Sequence, residues 1–160
     1  MTTLAIDAAA KTGIAMVNGA ELLHASTVMT SSNMLQRIAL LQTLPTPDRI
    51  AIERPQLRTV GDDKASQGKA QGTLSLSQQV GIWRAICEFV YPGVPMLQVY
   101  PATWRSALRM PSGDRKHLKA LSLAAARARW PHVEWTSDDQ SDAALMALAV
   151  DNTPALWEPR

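Results

Sequence analysis

Residues 4–28 read LAIDAAAKTGIAMVNGAELLHASTV, and their pattern decides the fold. Leu4-Ala5-Ile6 is an apolar strand signal that ends on a carboxylate, Asp7. After Lys11-Thr12-Gly13 a second strand is expected at Ile14 to Val17. Asn18-Gly19 then marks a two-residue hairpin, because both turn positions need backbone angles that Asn and Gly tolerate. A third strand, Glu21 to Val28, returns antiparallel. The chain therefore opens as a β-meander with Asp7 at the end of its first strand.

Beyond the meander, Ser32-Asn33 supplies a cap for a helix carrying Met34, Leu35, Ile38 and Leu41, and Pro45 and Pro47 stop it. Arg49-Ile50-Ala51-Ile52 is a short, nearly continuous apolar run, as expected of a strand buried on both faces, and it ends on Glu53. Residues 56–72 hold three glycines and many polar side chains and predict a mobile loop. A helix is expected from about Leu74 to Val90, a strand at Met96 to Val99, and a short helix from Pro101, where proline suits the first turn. Another helix starts near Ser112 or Asp114 and runs to Arg129. The last runs from Ser137 or Asp138, of which Asp138 is the better cap, to about Val150. Strands interleaved with helices predict an α/β domain spanning 1–160, with one mixed five-stranded sheet whose first three strands are antiparallel.

Hydrophobic residues make up 46% and charged residues 19% of 160, the balance of a globular domain large enough to fold without disulfides or a structural metal. The one cysteine, Cys87, lies in an apolar stretch and reads as a buried free thiol of a reducing compartment. No basic leader precedes an apolar run and no stretch approaches a membrane span, which points to the cytoplasm and away from membranes. Net charge is only +2, but residues 105–129 carry Arg105, Arg109, Arg115, Lys116, Lys119, Arg127 and Arg129 against Asp114 alone. Such a stripe suits a phosphate backbone or a solvated helix face equally well.

Asp7 and Glu53 close two apolar strands, so neighbouring strands bring both into one crevice. Asp139 and Asp142, three apart on the last helix, share a helix face. Four clustered carboxylates repel one another unless a cation intervenes, and oxygen donors of this kind suit Mg²⁺ or Mn²⁺. Two such ions can activate water and stabilise the leaving oxygen in phosphodiester hydrolysis. Taken singly, Asp7 at the end of an apolar strand is more often only a turn residue, and Asp139 suits the helix dipole as well as a metal. Asp142, before Ala143-Ala144-Leu145, lies near a buried face.

These segments resemble the RuvC-type Holliday junction resolvases. The similarity rests on Leu4-Ala5-Ile6-Asp7 with Thr12-Gly13, on Ile50-Ala51-Ile52-Glu53-Arg54-Pro55, on Val99-Tyr100-Pro101-Ala102-Thr103-Trp104-Arg105, and on Asp139-Gln140-Ser141-Asp142-Ala143-Ala144-Leu145, in order over about residues 3–150. The resemblance implies a ribonuclease H-like fold, a homodimer, and Mg²⁺-dependent paired nicking of four-way DNA junctions. It assigns Asp7, Glu53, Asp139 and Asp142 as metal ligands for two ions, and a family lysine to Lys116 or Lys119, with Lys116 the catalytic candidate. The chain departs from the family in two places. Ala9 stands where a glycine is usual, and residues 56–72 offer only Leu57 and Val60 where relatives carry a stacking aromatic residue.

Phosphate contacts are expected from Arg54, Arg58, Lys64 and Lys69 around the loop beside Glu53, and from Arg115, Lys116 and Lys119. The helix from Leu74 carries enough apolar residues, including Leu76, Val80, Trp83 and Ile86, for a core face and a partner face. Two other functions fit the same residues: a flap- or fork-cutting nuclease, and a junction-binding module without catalysis.

Overall fold

The computed structural model describes residues 1–9, 11–29, 31–55 and 64–157, without the side chains of 64–71 and 73. The meander forms as read: β1 (Thr2–Asp7), β2 (Lys11–Asn18) and β3 (Glu21–Met29) pair antiparallel, with Gly19 at φ 58° in the turn. α1 (Met34–Gln42) starts on Asn33, whose side chain accepts from Gln36 N while Gln36 Oε1 accepts from Asn33 N. β4 (Arg49–Glu53) then enters beside β1 and parallel to it, and β5 (Met96–Val99) lies parallel to β4. The sheet order is β3-β2-β1-β4-β5.

The two faces of the sheet differ in side-chain size. Leu4, Ile6, Ile14, Met16, Ile50 and Ile52 pack against α1 and α2 (Lys64–Val90) through Leu41, Val80, Trp83 and Ile86. The opposite face presents Ala5, Ala15 and Ala51, which are cross-strand partners in register. This stripe of methyl groups seats α5 (Asp138–Asp151), itself lined with Ala143, Ala144, Ala147 and Ala149. Side chains alternate along a strand. Asp7 therefore follows Ala5, and Glu53 follows Ala51, onto the α5 face.

α5 is fixed at both ends. At its start, Gln140 Nε2 donates to Ala25 O of β3 (3.0 Å), and Gln140 Oε1 accepts from Thr136 N. At its end, the Asp151 carboxylate accepts from Thr3 Oγ1 (2.7 Å) and Gly19 N (3.0 Å). α3 (Pro101–Ala107) and α4 (Arg115–Arg129) complete this layer, with Trp104, Ala126 and Trp130 in its core.

Two expectations are corrected. α2 begins at Lys64, ten residues before the expected Leu74, so much of the stretch read as a loop is helical. Ala65, Gln67, Lys69, Ala70 and Gln71 are good helix formers that offset Gly68, in a segment that has no apolar period to reveal it. The cap of α5 is Ser137, which accepts from Gln140 N, whereas Asp138 is drawn into an ion pair with Lys119.

Candidate active site

The C-terminal ends of β1 and β4 and the first turns of α5 frame a cleft of about 520 Å³. Asp7, Glu53, Asp139 and Asp142 all line it, with Arg105, Arg115 and Lys119. Its location, beyond the carboxyl ends of parallel strands, is where open α/β sheets hold ligands.

Gly13 sets how close α5 comes to β1. It pairs with Asp7 across the meander, and a Cβ at Gly13 would overlap the Asp139 carbonyl. Glycine lets the backbones of β2 and α5 touch, which draws Asp139 over the end of β1. The turn between β1 and β2 is held by Thr12 Oγ1, which donates to Ala9 O (3.2 Å) and accepts from Trp83 Nε1 (3.1 Å).

Each acid feels burial and its neighbours. Burial pushes Asp7 well above the usual carboxylate range, and the charges of Glu53, Asp142 and Asp139 add to it. Burial raises Glu53 to about 7, although Trp104 Nε1 donates to its Oε2 (2.9 Å) and opposes the shift. Asp139 and Asp142 are raised too, first by burial. Asp138 goes the other way: burial acts to raise it, but the hydrogen bond and charge of Lys119 prevail and hold it low.

Arg105 answers part of this negative charge. Its Nη2 donates to Asp142 Oδ2 at 3.1 Å, and its guanidinium stacks on Trp104. The second oxygen, Asp142 Oδ1, is buried without a well-aligned donor, and so is the nearby Ser122 hydroxyl that can turn toward it. The donor set is thus all hard oxygen and mutually repelling, with Asp142 Oδ1 buried and only the Ser122 hydroxyl at hand to meet it. Those properties fit a divalent cation. Among the described residues no three His, Cys, Asp or Glu side chains already close on one point tightly enough to hold an ion.

Other expected residues fall elsewhere. On α4, Arg115 and Lys119 are four apart and share the face toward the cleft. Lys116 is exposed and does not line the cleft, so Lys119 is the α4 lysine beside the acids. Arg54 is exposed and lies over the Tyr100 ring at 4.8 Å, outside the cleft lining. Arg58 and the side chains of Lys64 and Lys69 lie outside the described residues. The Cys87 thiol is buried and pushed up to about 12, as an unreactive core group would be. By residue type Trp104 carries no site role, and Arg105 reads only as one cation of the basic stripe over 105–129. The signal was their place in the Pro101–Arg105 segment directly after β5, the strand beside Glu53.

No family model matches this sequence, and no curated protein matches it. Solved structures do: the fold is that of the RuvC-type resolvases, a ribonuclease H-like fold. The chain is similar to Thermus thermophilus RuvC at 20% identity and TM-score 0.56, covering 97% of this chain and 96% of that one. It is similar to T. thermophilus RuvC in complex with a Holliday junction substrate at 17% identity and TM-score 0.58, covering 97% and 95%. The fowlpox virus Holliday junction resolvase matches at 12% identity and TM-score 0.57, covering 92% and 94%. At these identities the likeness is one of fold. No helix among the described residues is long and apolar enough to cross a membrane.

Proposed function

We propose that this chain is a metal-dependent endonuclease that resolves four-way DNA junctions by paired symmetric nicks, working in the cytoplasm as a homodimer of single ribonuclease H-like domains. The observation that carries the reading is the meeting of four carboxylates, from two strand ends and one helix, in a single cleft. Mg²⁺, or Mn²⁺ in its place, supplies Lewis acidity and an activated water when two ions are bound. Asp7, Glu53, Asp139 and Asp142 are the residues that would hold them. Trp104 fixes one oxygen of Glu53 and leaves the other free for the cleft. Arg105 orients Asp142 and keeps its charge tolerable before an ion arrives. Lys119 and Arg115 also line the cleft and are the cations proposed to meet the phosphate backbone, Lys119 on release from its ion pair with Asp138. The lysine assisting the reaction is then Lys119, with Lys116, Arg54, Arg58, Lys64 and Lys69 as outer phosphate contacts.

Paired nicks need two clefts, so the reading includes a second copy, with the exposed Leu74 and Phe89 of α2 as candidates for its contact surface. A flap- or fork-cutting nuclease is the second reading, favoured by the lack of an aromatic residue in 56–72. Initial cleavage rates with Mg²⁺ on a four-way junction, a flap, a fork and a linear duplex separate the two. The junction is expected to be cut fastest; a flap or fork cut faster than the junction replaces the first reading with the second.

A further inference from the structure

A second cavity, of about 440 Å³, adjoins the acidic cleft and shares Pro101, Arg105, Gly113 and Leu118 with it. It runs along the end of α3 and the segment 109–113. Its walls are apolar at Met110, Pro111 and Leu118, and its charged lining consists of Arg105 and Arg109, with no acid among the described residues.

Arg109 holds an unusual backbone position. It is the only described non-glycine residue with positive φ, at 55°. Arg109 N donates to Ser106 O (2.9 Å) and Met110 N to Arg105 O (3.0 Å), the paired bonds of a helix end that ordinarily carries glycine at this residue. An L-residue there is strained, and strained residues cluster at functional sites. The exposed Arg109 side chain contributes nothing to the core. Arg109 does, however, line a cavity that adjoins the acidic cleft.

We propose that this cavity is a subsite for the nucleotide next to the cut phosphate, with its base against the apolar wall and Arg109 on its backbone phosphate. The inference rests on the nuclease reading above and extends it to a contact outside the acidic cleft. Two groups match the two halves of such a ligand: the apolar Met110, Pro111 and Leu118 for the face of a base, and a guanidinium for a phosphate.

The test is junction affinity by fluorescence anisotropy in EDTA, over a range of salt, with thermal unfolding measured alongside. Arg109→Gly is expected to weaken binding about tenfold and to lower the salt slope by about 1. It should leave Tm unchanged or raise it, since glycine relieves the backbone. Arg109→Lys should keep the salt slope. In wild type, an abasic nucleotide walked through the four positions flanking the crossover should weaken binding several-fold at one position only. Unchanged affinity and slope in Arg109→Gly, a fall in its Tm, or a flat abasic profile would each overturn the subsite. If wild type itself does not bind the junction, the nuclease reading fails first; if it binds and Arg109→Gly binds equally, only the subsite fails.

Discussion

Replacing Gly13 by alanine tests how the site is assembled. The added Cβ would lie closer to the Asp139 carbonyl than the 3.0 Å that real Cβ atoms keep, and it would also press on Gln140 N. All these atoms are backbone, so no side chain can rotate away. Clearing the overlap takes a shift of about 1 Å between β2 and the start of α5 in a densely packed layer. Overpacking of this kind costs about 1–3 kcal/mol, a Tm loss of roughly 3–10 °C in a chain this size. The same shift moves Asp139 relative to its partner acids, and a misplacement of about 1 Å lowers turnover by about 100-fold. Gly81→Ala is the control: nothing lies within 4 Å of its Cβ, it is exposed on α2, and alanine should raise stability by about 0.5–1 kcal/mol. Calorimetry and junction nicking read both effects. A Gly13→Ala protein with wild-type Tm and nicking rate would refute the close approach of β2 to α5 as the device that places Asp139.

Three further outcomes follow from the charge balance of the cleft. Trp104→Phe removes the donor to Glu53 Oε2, so the pH–rate profile should move upward and the rate at pH 7 should fall about tenfold. Arg105→Met strips Asp142 of its cation and should destabilise the metal-free protein by about 1–3 kcal/mol, with added Mg²⁺ recovering most of the loss. Glu53, raised from 4.5 to about 7 chiefly by burial, binds its proton more tightly folded than unfolded. Stability of the metal-free protein should therefore fall as pH rises from about 4.5 to about 7, by at most about 3.5 kcal/mol from this group, and Glu53→Gln should make that fall shallower in a thermal-unfolding series, the raised aspartates keeping the remainder.

The sheet and the four acids were legible because their signals are local. Apolar runs that stop on Asp7 and Glu53 mark strand ends, and Asn18-Gly19 fixes the meander. The i, i+3 pair Asp139 and Asp142 declares a shared face. What remained hidden was decided between distant segments. The Arg105 bond to Asp142 joins residues 37 apart, and the Trp104 bond to Glu53 joins residues 51 apart. Ser137 and Asp138 are both good caps by type, and Lys119, on another helix, settles which one serves. Gly13 was visible as a motif residue, but its reason is the backbone of α5, which lies 126 residues further along the chain at Asp139. The early start of α2 escaped an apolar-period reading because Lys64 to Gln71 carries no apolar period.

In the proposed reaction, four carboxylates in one cleft cut junction DNA with bound divalent ions. Its most direct test is the mapping of nicks in a labelled four-way junction incubated with Mg²⁺ and wild type or Asp142→Asn, beside a linear duplex. Two symmetric nicks in the junction by wild type, with none from Asp142→Asn, are the predicted result. Junction binding without cleavage in both Mg²⁺ and Mn²⁺ would contradict the account and leave a binding module.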